Sequence, residues 1–350
     1  MTLESLLRDW PGECVVSRFD LETGAWIFIA IHSSRRGMPV GGTRIRVYSS
    51  PVEGLRDAMR LAEGMTYKWA CLGIDKGGAK AVLAVPEIPT GEARRGLLLR
   101  YGALVESLRG AFGTGEDLGT TPEDMAILAE KTRYVHGIRG EGEVTDPGPF
   151  TAAGVLHGMR AAVREVLERE TLRDARVAIQ GVGDVGAPLA RSLRQEGASL
   201  ILADVDAGRA EALAAELDAR TVPASQVYDV ECDVFAPCAV GGVLGPDTIP
   251  RLRCHIVAGS ANNQLADPSQ DASLLHAGGI VYVPAYVINA GGALAFATMD
   301  GSSDLESLMT RMETIGFTVR EILREARNHD ESPVASAQRR AERALGAEGG

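Results

Sequence analysis

Apolar and polar residues recur with two different periods over residues 1–145, which indicates both strands and helices. Residues 26–32 and 81–85 are apolar and β-prone and predict short strands, whereas residues 51–63 carry apolar side chains at helical spacing. Two further helices are predicted over residues 92–109 and 122–131, and the second starts after Thr121 with Pro122 in its first turn. Residues 1–145 are therefore predicted to form a mixed α/β domain.

Beyond residue 145 the pattern becomes that of a parallel sheet. A Gly/Pro-rich stretch over residues 137–149 is the best linker candidate, and a long helical pattern follows from Thr151. Strands and helices then alternate, as in a parallel sheet with right-handed crossovers. We predict an α/β protein of two domains with a cleft between them, a substrate domain over residues 1–145 and a Rossmann-like domain over residues 146–319. A charged C-terminal helix, over about residues 320–350, is expected to join the first domain.

The second domain contains a dinucleotide-binding fingerprint. An apolar strand over residues 176–180 is followed by Gly181-Val182-Gly183-Asp184-Val185-Gly186 and then by a helical pattern over residues 187–195. Gly181 permits the tight turn, Gly183 lets the backbone approach the pyrophosphate, and Gly186 lets helix and strand pack closely. The next strand ends at Asp204, close to the ~20 positions after the first glycine at which an acid binds the adenosine ribose. This favours NAD, and Arg209 leaves NADP open because it could receive a 2′-phosphate.

Two lysines in the first domain offer the chemistry of an amino acid oxidoreductase. Oxidative deamination removes a hydride from Cα, adds water to the iminium carbon and releases ammonia. A lysine whose pKa is lowered could activate that water, and Lys68 and Lys80, if adjacent, would each lower the pKa of the other. Asp117, in a segment whose glycines are expected to be flexible, offers a carboxylate that could move protons at the nitrogen. The alternative is that both lysines are solvated loop charges and that Asp117 is a helix cap.

Composition narrows the class of partner. The 350 residues are 45% hydrophobic, enough for two cores, and their formal net charge of -11 argues against nonspecific binding to nucleic acid or anionic membranes. The cysteines contain no C-x-x-C pair and the histidines no ligand spacing, so neither disulfides nor a metal site is indicated. No apolar run approaches the ~20 residues that span a bilayer. We expect a cytoplasmic protein that acts on a small molecule.

Seven motifs follow one another along the chain: Gly41-Gly42-Thr43-Arg44, Gly64-Met65-Thr66-Tyr67-Lys68, Gly77-Gly78-Ala79-Lys80, Glu116-Asp117-Leu118-Gly119-Thr120, Cys232-Asp233-Val234-Phe235-Ala236-Pro237-Cys238, Gly259-Ser260-Ala261-Asn262-Asn263-Gln264 and Val287-Ile288-Asn289-Ala290-Gly291-Gly292. This ordered set resembles the glutamate/leucine/phenylalanine/valine dehydrogenases, a family of NAD(P)-dependent L-amino acid oxidoreductases. The resemblance runs from about residue 29 to about residue 292, continues more weakly to the end, and is strongest to the leucine/phenylalanine dehydrogenase branch. It implies NAD-dependent deamination of an apolar L-amino acid by a homo-oligomer.

The resemblance also implies roles for single residues. Lys80 becomes the catalytic base, and Asp117 exchanges protons with the amine. Lys68 holds the substrate carboxylate with help from Asn263 and the Gly42 backbone. The implied cofactor residues, besides the fingerprint (Gly181, Gly183, Asp184, Val185 and Gly186) and Asp204, are Thr151, Ala239, Asn262 and Asn289. The other implied substrate residues are Val40, Gly41, Met65, Gly115, Ala293 and Phe296.

Four of these positions bear on the substrate side chain. The resemblance places Val40 where glutamate enzymes have a lysine for the distal carboxylate, which makes glutamate a poor substrate. Gly115 and Ala293 are smaller than their usual counterparts in leucine enzymes and are expected to deepen the pocket, whereas Phe296 fills volume or stacks on an aromatic ring. A hydrophobic pocket distinguishes one methylene by only ~1–3 kcal/mol, so leucine, valine, phenylalanine and tryptophan all stay open, with a slight preference for a bulky or aromatic side chain.

The chain departs from the leucine-type pattern at three places. Ala79 replaces a usual glycine, Ala285 a usual aspartate, and Thr298-Met299 a usual acidic pair.

Two alternative functions stay open. A nucleotide-binding sensor that has lost turnover would keep the Rossmann half without needing Lys80. Another nicotinamide oxidoreductase, such as an imine-reducing or opine-forming enzyme, would accept a second amine in place of ammonia.

Overall fold

The computed structural model describes residues 3–139, 143–144, 146–299 and 304–346, and the chain divides into two compact units. The first unit contains residues 1–146, 296–302 and 341–350, and the second contains residues 147–295 and 303–340. The predicted boundary after residue 145 lies one position before this division. No helix in the described part of the chain is long and apolar enough to cross a membrane.

The first unit is built on a mixed sheet. Its elements are α1 (Leu3–Asp9), β1 (Cys14–Asp20), β2 (Ala25–Ser33), β3 (Pro39–Val47), α2 (Pro51–Cys71), β4 (Gly77–Val85), α3 (Gly91–Ser107), β5 (Gly113–Glu116), α4 (Pro122–Ala129), β6 (Ile138–Arg139) and β7 (Glu143–Val144). Within the described residues, five strands form a sheet in the order β1-β2-β4-β3-β5. β2 pairs antiparallel with β1 and β4, whereas β3 pairs parallel with β4 and β5.

The two faces of this sheet bury different sets of side chains. Ala81 and Leu83 of β4 belong to the core that includes apolar residues of α3, whereas Val82 and Ala84 belong to the core that includes residues of α2. Because side chains alternate along a strand, Lys80 shares the α2 face with Val82. The polar residues of this face are therefore covered by α2.

The sequence prediction misses β3 and β5 because both strands contain glycine, a residue that strands usually avoid. A Cβ at Gly41 would overlap the carbonyl oxygen of Ala79, so only glycine lets β3 approach β4 this closely. At Gly42 a Cβ would lie 2.6 Å from the Glu116 carbonyl oxygen, next to the end of β5. Both glycines therefore allow the neighbouring strands to lie close to β3.

The second unit has the alternating pattern that the sequence predicts. The elements after residue 147 are α5 (Gly148–Leu167), β8 (Arg176–Gln180), α6 (Gly186–Gln195), β9 (Ser199–Ala203), α7 (Ala207–Leu217), β10 (Arg220–Thr221), β11 (Val234–Pro237), β12 (Ile256–Val257), α8 (Pro268–Ala277), β13 (Val281–Tyr282), α9 (Ala285–Ile288), α10 (Gly291–Thr298), α11 (Leu305–Arg311), α12 (Glu313–His329) and α13 (Pro333–Gly346), with short 3-10 helices at Ala224–Asp229 and Ile249–Arg251. The ends of α10 and α13, from residues 296 and 341 respectively, are grouped with the first unit. In the described residues, six parallel strands follow the order β10-β9-β8-β11-β12-β13. The predicted Rossmann-like α/β domain is confirmed.

The C-terminal helices differ from their predicted placement. α12 lies along α5, where a Cβ at Gly154 would come within 2.6 Å of the Ile315 side chain. The buried face of α12, which includes Ile315, Val319 and Ile322, is therefore part of the second unit. Of the helix expected over about residues 320–350 to join the first domain, only residues 341–350 are grouped with it, and residues 347–350 lie outside the described residues.

Two helical glycines are predicted to respond in opposite ways to alanine. Gly158→Ala in α5 places a methyl group 2.6 Å from Ile288 and is expected to lower the free energy of unfolding by about 1–3 kcal/mol through overpacking. Gly64→Ala in α2, where the new methyl group meets nothing within 4 Å, is the control and is expected to raise stability by about 0.5–1 kcal/mol. Guanidinium unfolding followed by circular dichroism measures both, and equal stabilities would contradict this packing.

Candidate active site

The first unit contains both predicted catalytic residues and the predicted substrate residues other than Asn263 and Ala293, which belong to the second unit. Val40 and Gly42 of β3 are in register with Gly113 and Gly115 of β5, on the face that also carries Lys80 of β4. Gly41 lies between Val40 and Gly42 in the strand. The helix that covers this face, α2, supplies Met65 and Lys68, and Asp117 follows the last residue of β5.

Lys80 and Asp117 form a buried ion pair. Lys80 Nζ donates to Asp117 Oδ1 at 2.6 Å, and the two side chains are 6% and 12% exposed. Burial and the charge of Arg44 lower the pKa of Lys80 more than the charge of Asp117 raises it. Burial raises the pKa of Asp117, but the charges of Lys80 and Arg44 outweigh this effect and hold it well below its usual range. An ionised carboxylate is thus fixed beside an amine that loses its proton easily.

Lys68 supplies a second buried amine from the last turn of α2. Burial first, and the charge of Lys80 second, lower the pKa of Lys68 to about 8, against an opposing effect of Asp117. The predicted influence of one lysine on the other is therefore present at Lys68. A substrate carboxylate next to this amine would favour its protonated form. Solvated loop charges, the alternative considered from the sequence, do not describe either lysine.

Arg44 is the functional residue that sequence reasoning missed. Its Nε donates to Asp117 Oδ2 at 2.9 Å, and its Nη1 donates to Asp57 Oδ2 at 2.9 Å. Tyr48 also donates to Asp57 Oδ2, at 2.7 Å. The available signal was the spacing of Val40 and Arg44 within one strand, because an even separation places both on the same face. That signal needs β3 to be recognised as a strand.

The segment that carries Asp117 is held by hydrogen bonds, contrary to the predicted flexibility. The Asp117 backbone N donates to Thr120 Oγ1 at 2.9 Å, and the Leu118 carbonyl accepts from Ile45 N at 3.0 Å. The cap of α4 is Thr121, whose side chain accepts from a backbone N–H of the first turn. Asp117 is therefore not the cap of this helix, and its carboxylate is committed to Lys80 and Arg44.

Phe296 lies over the glycines of the expected side-chain pocket. A Cβ at Gly115 would be 3.8 Å from the Phe296 ring, and one at Gly137 would be 2.9 Å from it. The carbonyl oxygen of His136 would lie 3.6 Å from the same Gly115 Cβ. Burial, with a smaller effect of a lysine charge, lowers the pKa of His136 to about 4, so its imidazole is neutral. The space that Gly115 leaves open is thus partly filled by Phe296, a pairing that the sequence did not reveal.

In the second unit, the fingerprint forms the turn from β8 into α6, with Asp184 and Val185 inside it. Gly181 has φ of 92°, and a Cβ there would lie 2.7 Å from the Cβ of Ala239. At Gly186 a Cβ would overlap the carbonyl oxygen of Gly181. A Cβ at Gly183 would meet nothing within 4 Å, so this backbone is open to a ligand at the start of a helix.

The remaining predicted cofactor residues lie around the same parallel sheet. The Asp204 carboxylate, just after β9, accepts from the backbone N of Val182 at 2.8 Å. The Asn289 amide donates to Asn262 Oδ1 at 2.8 Å. Thr151 Oγ1 accepts from a backbone N–H of α10, that of Gly292, at 3.2 Å. An open glycine turn followed by a strand that ends in a carboxylate fits a dinucleotide.

Two predicted substrate residues and the departures complete the description. Asn263 has φ of 49°, in the left-handed region, and Ala293 is half-buried in α10. Ala79 belongs to the core on the opposite face of β4 from Lys80, so its methyl group points away from the base. Ala285 is 7% exposed in the apolar core of the second unit, where a methyl group suits its surroundings. Thr298-Met299 lies at the end of α10.

Family models match most of the chain. The model described as Glu/Leu/Phe/Val dehydrogenase, dimerisation domain, matches residues 21–134. The model described as Glutamate/Leucine/Phenylalanine/Valine dehydrogenase matches residues 201–345. The first match includes both lysines and Asp117, and the second match includes most of the second unit.

Similar proteins match over nearly the full length. A leucine dehydrogenase from Geobacillus stearothermophilus is 39% identical over 343 residues, which cover 98% of this chain and 93% of that protein. An L-tryptophan dehydrogenase from Nostoc punctiforme is 39% identical over 343 residues, which cover 98% of this chain and 96% of that protein. The crystal structure of L-tryptophan dehydrogenase from Nostoc punctiforme has a TM-score of 0.83 at 36% identity and covers 99% of both chains. As its motifs predict, the chain belongs to the Glu/Leu/Phe/Val dehydrogenase family.

Proposed function

We propose that the protein catalyses the NAD-dependent, reversible oxidative deamination of an apolar L-amino acid to the 2-oxo acid and ammonia. The observation that carries this proposal is the buried pair of Lys80 and Asp117, with Lys68 on the helix that covers it. A lysine of lowered pKa, an ionised carboxylate and a second buried cation are the groups that this chemistry needs. The relatives named leucine and L-tryptophan dehydrogenase support an apolar substrate.

The proton transfers follow from the states of these three groups. Lys68, once protonated, binds the substrate carboxylate. Asp117 takes a proton from the substrate ammonium group and later returns it to the nitrogen. A nicotinamide cofactor, which the fingerprint turn and Asp204 would hold, would supply the acceptor for the hydride from Cα, and loss of that hydride leaves an iminium ion.

Water then replaces nitrogen at this carbon. The neutral amine of Lys80 takes a proton from the water whose oxygen bonds to the iminium carbon. Asp117 returns its proton to the nitrogen of the carbinolamine so formed, and the regenerated Asp117 carboxylate takes the hydroxyl proton as the C–N bond breaks. Ammonia leaves with the bonding electron pair, and the 2-oxo acid remains.

We propose NAD rather than NADP as the cofactor. The Asp204 carboxylate lies just after β9, where an acid accepts hydrogen bonds from an unmodified ribose and repels a 2′-phosphate. Arg209, the cation that left NADP open, has Asp206 Oδ2 at 3.8 Å from its Nη2. Asp206 therefore attracts the Arg209 guanidinium toward the start of α7.

We propose that the side-chain pocket prefers a bulky aliphatic group. Val40, which is 6% exposed, offers no cation for a distal carboxylate. Phe296 occupies space beside Gly115 and Gly137, so the glycine at position 115 does not by itself make room for an aromatic ring. Of the bulky aliphatic and aromatic side chains that the sequence favours, this ring supports the aliphatic ones.

We also propose a homo-oligomer. The family model over residues 21–134 is described as a dimerisation domain, which supports self-association of the first unit. Light scattering of the purified protein gives the mass that decides this.

The two alternative functions, a sensor and another nicotinamide oxidoreductase, would give different experimental results. A sensor would bind NADH but turn over no amino acid, whatever the residue at position 80. An imine-reducing or opine-forming enzyme would consume NADH with a second amine and the 2-oxo acid faster than with ammonia. The buried Lys80–Asp117 pair favours the dehydrogenase, because a sensor needs no base.

Lys80→Ala is expected to lower kcat/KM for the preferred amino acid about 10²–10⁴-fold, because the general base is lost. NADH binding should stay within about twofold, since the fingerprint turn is unchanged. NADH appearance at alkaline pH, with NAD and a panel of Leu, Val, Phe, Trp and Glu, measures turnover. Lys131→Ala, an exposed lysine after α4, is the control. If the unsubstituted protein is silent across the panel but binds NADH, the sensor is favoured.

Phe296→Val is expected to raise the ratio of kcat/KM for phenylalanine to that for leucine by about 10-fold or more, because it frees the space over Gly115. Phe317→Val, at a position in α12 that is 55% exposed, is the control and should leave the ratio unchanged. The same ratio in both variants would show that Phe296 does not limit the pocket.

Gly183→Ala is expected to weaken NADH binding about 10-fold or more without loss of stability, because the added methyl group meets only the space proposed for the pyrophosphate. Gly186→Ala should instead destabilise the fold, since its methyl group would overlap the Gly181 carbonyl. Fluorescence titration and thermal unfolding separate the two effects. Undiminished NADH binding by Gly183→Ala would place the cofactor elsewhere.

A further inference from the structure

Four buried side chains of alternating charge form a continuous chain in the first unit: Lys80, Asp117, Arg44 and Asp57, which we call the charge ladder. Asp117 joins Lys80 Nζ at 2.6 Å to Arg44 Nε at 2.9 Å, and Arg44 Nη1 reaches Asp57 Oδ2 at 2.9 Å. The four side chains are 6%, 12%, 8% and 10% exposed, in that order. Charges buried to this extent are screened little by salt, so each affects the next.

The far end of the ladder, at Asp57, opens toward solvent. Tyr48 donates to Asp57 Oδ2 at 2.7 Å, and Arg60 donates to Asp57 Oδ1 at 3.2 Å. Asp57 and Tyr48 line a cavity of about 480 Å³, which Glu53 and Arg60 also line. Position 57 thus borders this cavity, and asparagine there would have the same shape as the aspartate.

Asp57 opposes the effect of Arg44 on the base. Burial lowers the pKa of Lys80, the charge of Asp117 raises it, the charge of Arg44 lowers it and the charge of Asp57 raises it again. Lys68, from α2, is the further cation at this site, and the charge of Lys80 lowers its pKa. The pKa of Lys80 therefore depends on the opposing charges of Arg44 and Asp57, which are connected to Lys80 through Asp117.

We propose that Asp57 is a positioning residue for the reaction: it holds Arg44 against Asp117, balances its charge, and so sets the pH above which Lys80 acts as a base. This rests on the proposed role of Lys80. The hydrogen bonds that the described residues make to the Asp57 carboxylate come from Arg44, Tyr48 and Arg60, so its proposed effect on the reaction is indirect. Its contribution is the charge and orientation of Arg44.

The test is the pH profile of kcat/KM in Asp57→Asn. Loss of the negative charge leaves Arg44 with the Asp117 carboxylate but without that of Asp57, so the net positive charge near Lys80 rises and Lys80 gives up its proton at lower pH. The midpoint of the acid limb should move down by about 0.5–1 pH unit, as expected for one charge acting at this range in a partly buried setting. The amine of the substrate titrates identically in all variants, so the difference reports the enzyme.

Two variants separate charge from structure. Glu53→Gln removes the same charge from the same cavity, but from a residue whose partner is Arg56, and its midpoint should stay within about 0.2 unit of the parent. Tyr48→Phe removes a hydrogen bond to Asp57 but no charge, and its midpoint should also stay. A midpoint unchanged in Asp57→Asn, or moved equally in Glu53→Gln, overturns the proposal.

A measurement on the unsubstituted protein covers the case in which Asp57→Asn does not fold. The carboxyl ¹³C resonance of Asp57 should show an inflection at the pH at which Lys80 titrates, and that of Glu53 should not. Absence of the Asp57 inflection overturns the proposal. Because this observation needs no turnover, a silent enzyme with a coupled Asp57 would refute the proposed function and leave the ladder standing.

Discussion

The ion pair of Lys80 and Asp117 is the interaction on which the first unit depends. Taking two charges out of water costs on the order of several kcal/mol per ion, and their attraction repays this only with good geometry and further partners. Arg44 is that further partner, and Asp57 returns the sum of the four buried charges to zero. Lys68, when protonated together with Lys80, gives these five side chains a net positive charge. In the proposed function, the substrate carboxylate binds Lys68 and brings that sum to zero.

Lys80 can reach Asp117 only if the strand that lies between them has no side chain at the point where the lysine crosses it. Lys80 is on β4 and Asp117 follows β5, and β3 lies between these two strands. Adjacent strands are about 4.8 Å apart, so the lysine must cross over β3 to reach the carboxylate. Gly42 of β3 lies on this face, and a Cβ there would be 2.9 Å from the Asp117 Cβ. Glycine in this motif therefore keeps the path of the lysine side chain open.

The same glycines explain what the sequence could and could not predict. Strands with a regular apolar pattern, such as residues 81–85, and the strand–glycine–helix order of the fingerprint follow from local pattern, and the structure has them. β3 and β5 do not, since their glycines are explained only by neighbouring strands. Arg44 was quoted in a motif but given no role, because its partner Asp117 is 73 positions away and only the sheet brings them together. The sequence prediction misplaced the C-terminal helices for a similar reason, because the apolar face of α12 does not indicate which helix it packs against.

The proposed side-chain pocket shows why residue size at single positions predicts a substrate poorly. Gly115 alone indicates a deep pocket, and Phe296 alone indicates a shallow one. In the structure the two are in contact range, and Gly137 gives the ring a second place to lie. The volume available to a substrate is the space left by this set of three, not the sum of three separate substitutions. Because protein interiors are packed to the density of crystals, a ring that fills a gap left by one glycine is expected to need room from another. The substrate preference proposed for this chain thus depends on contacts between distant segments, which no single motif contains.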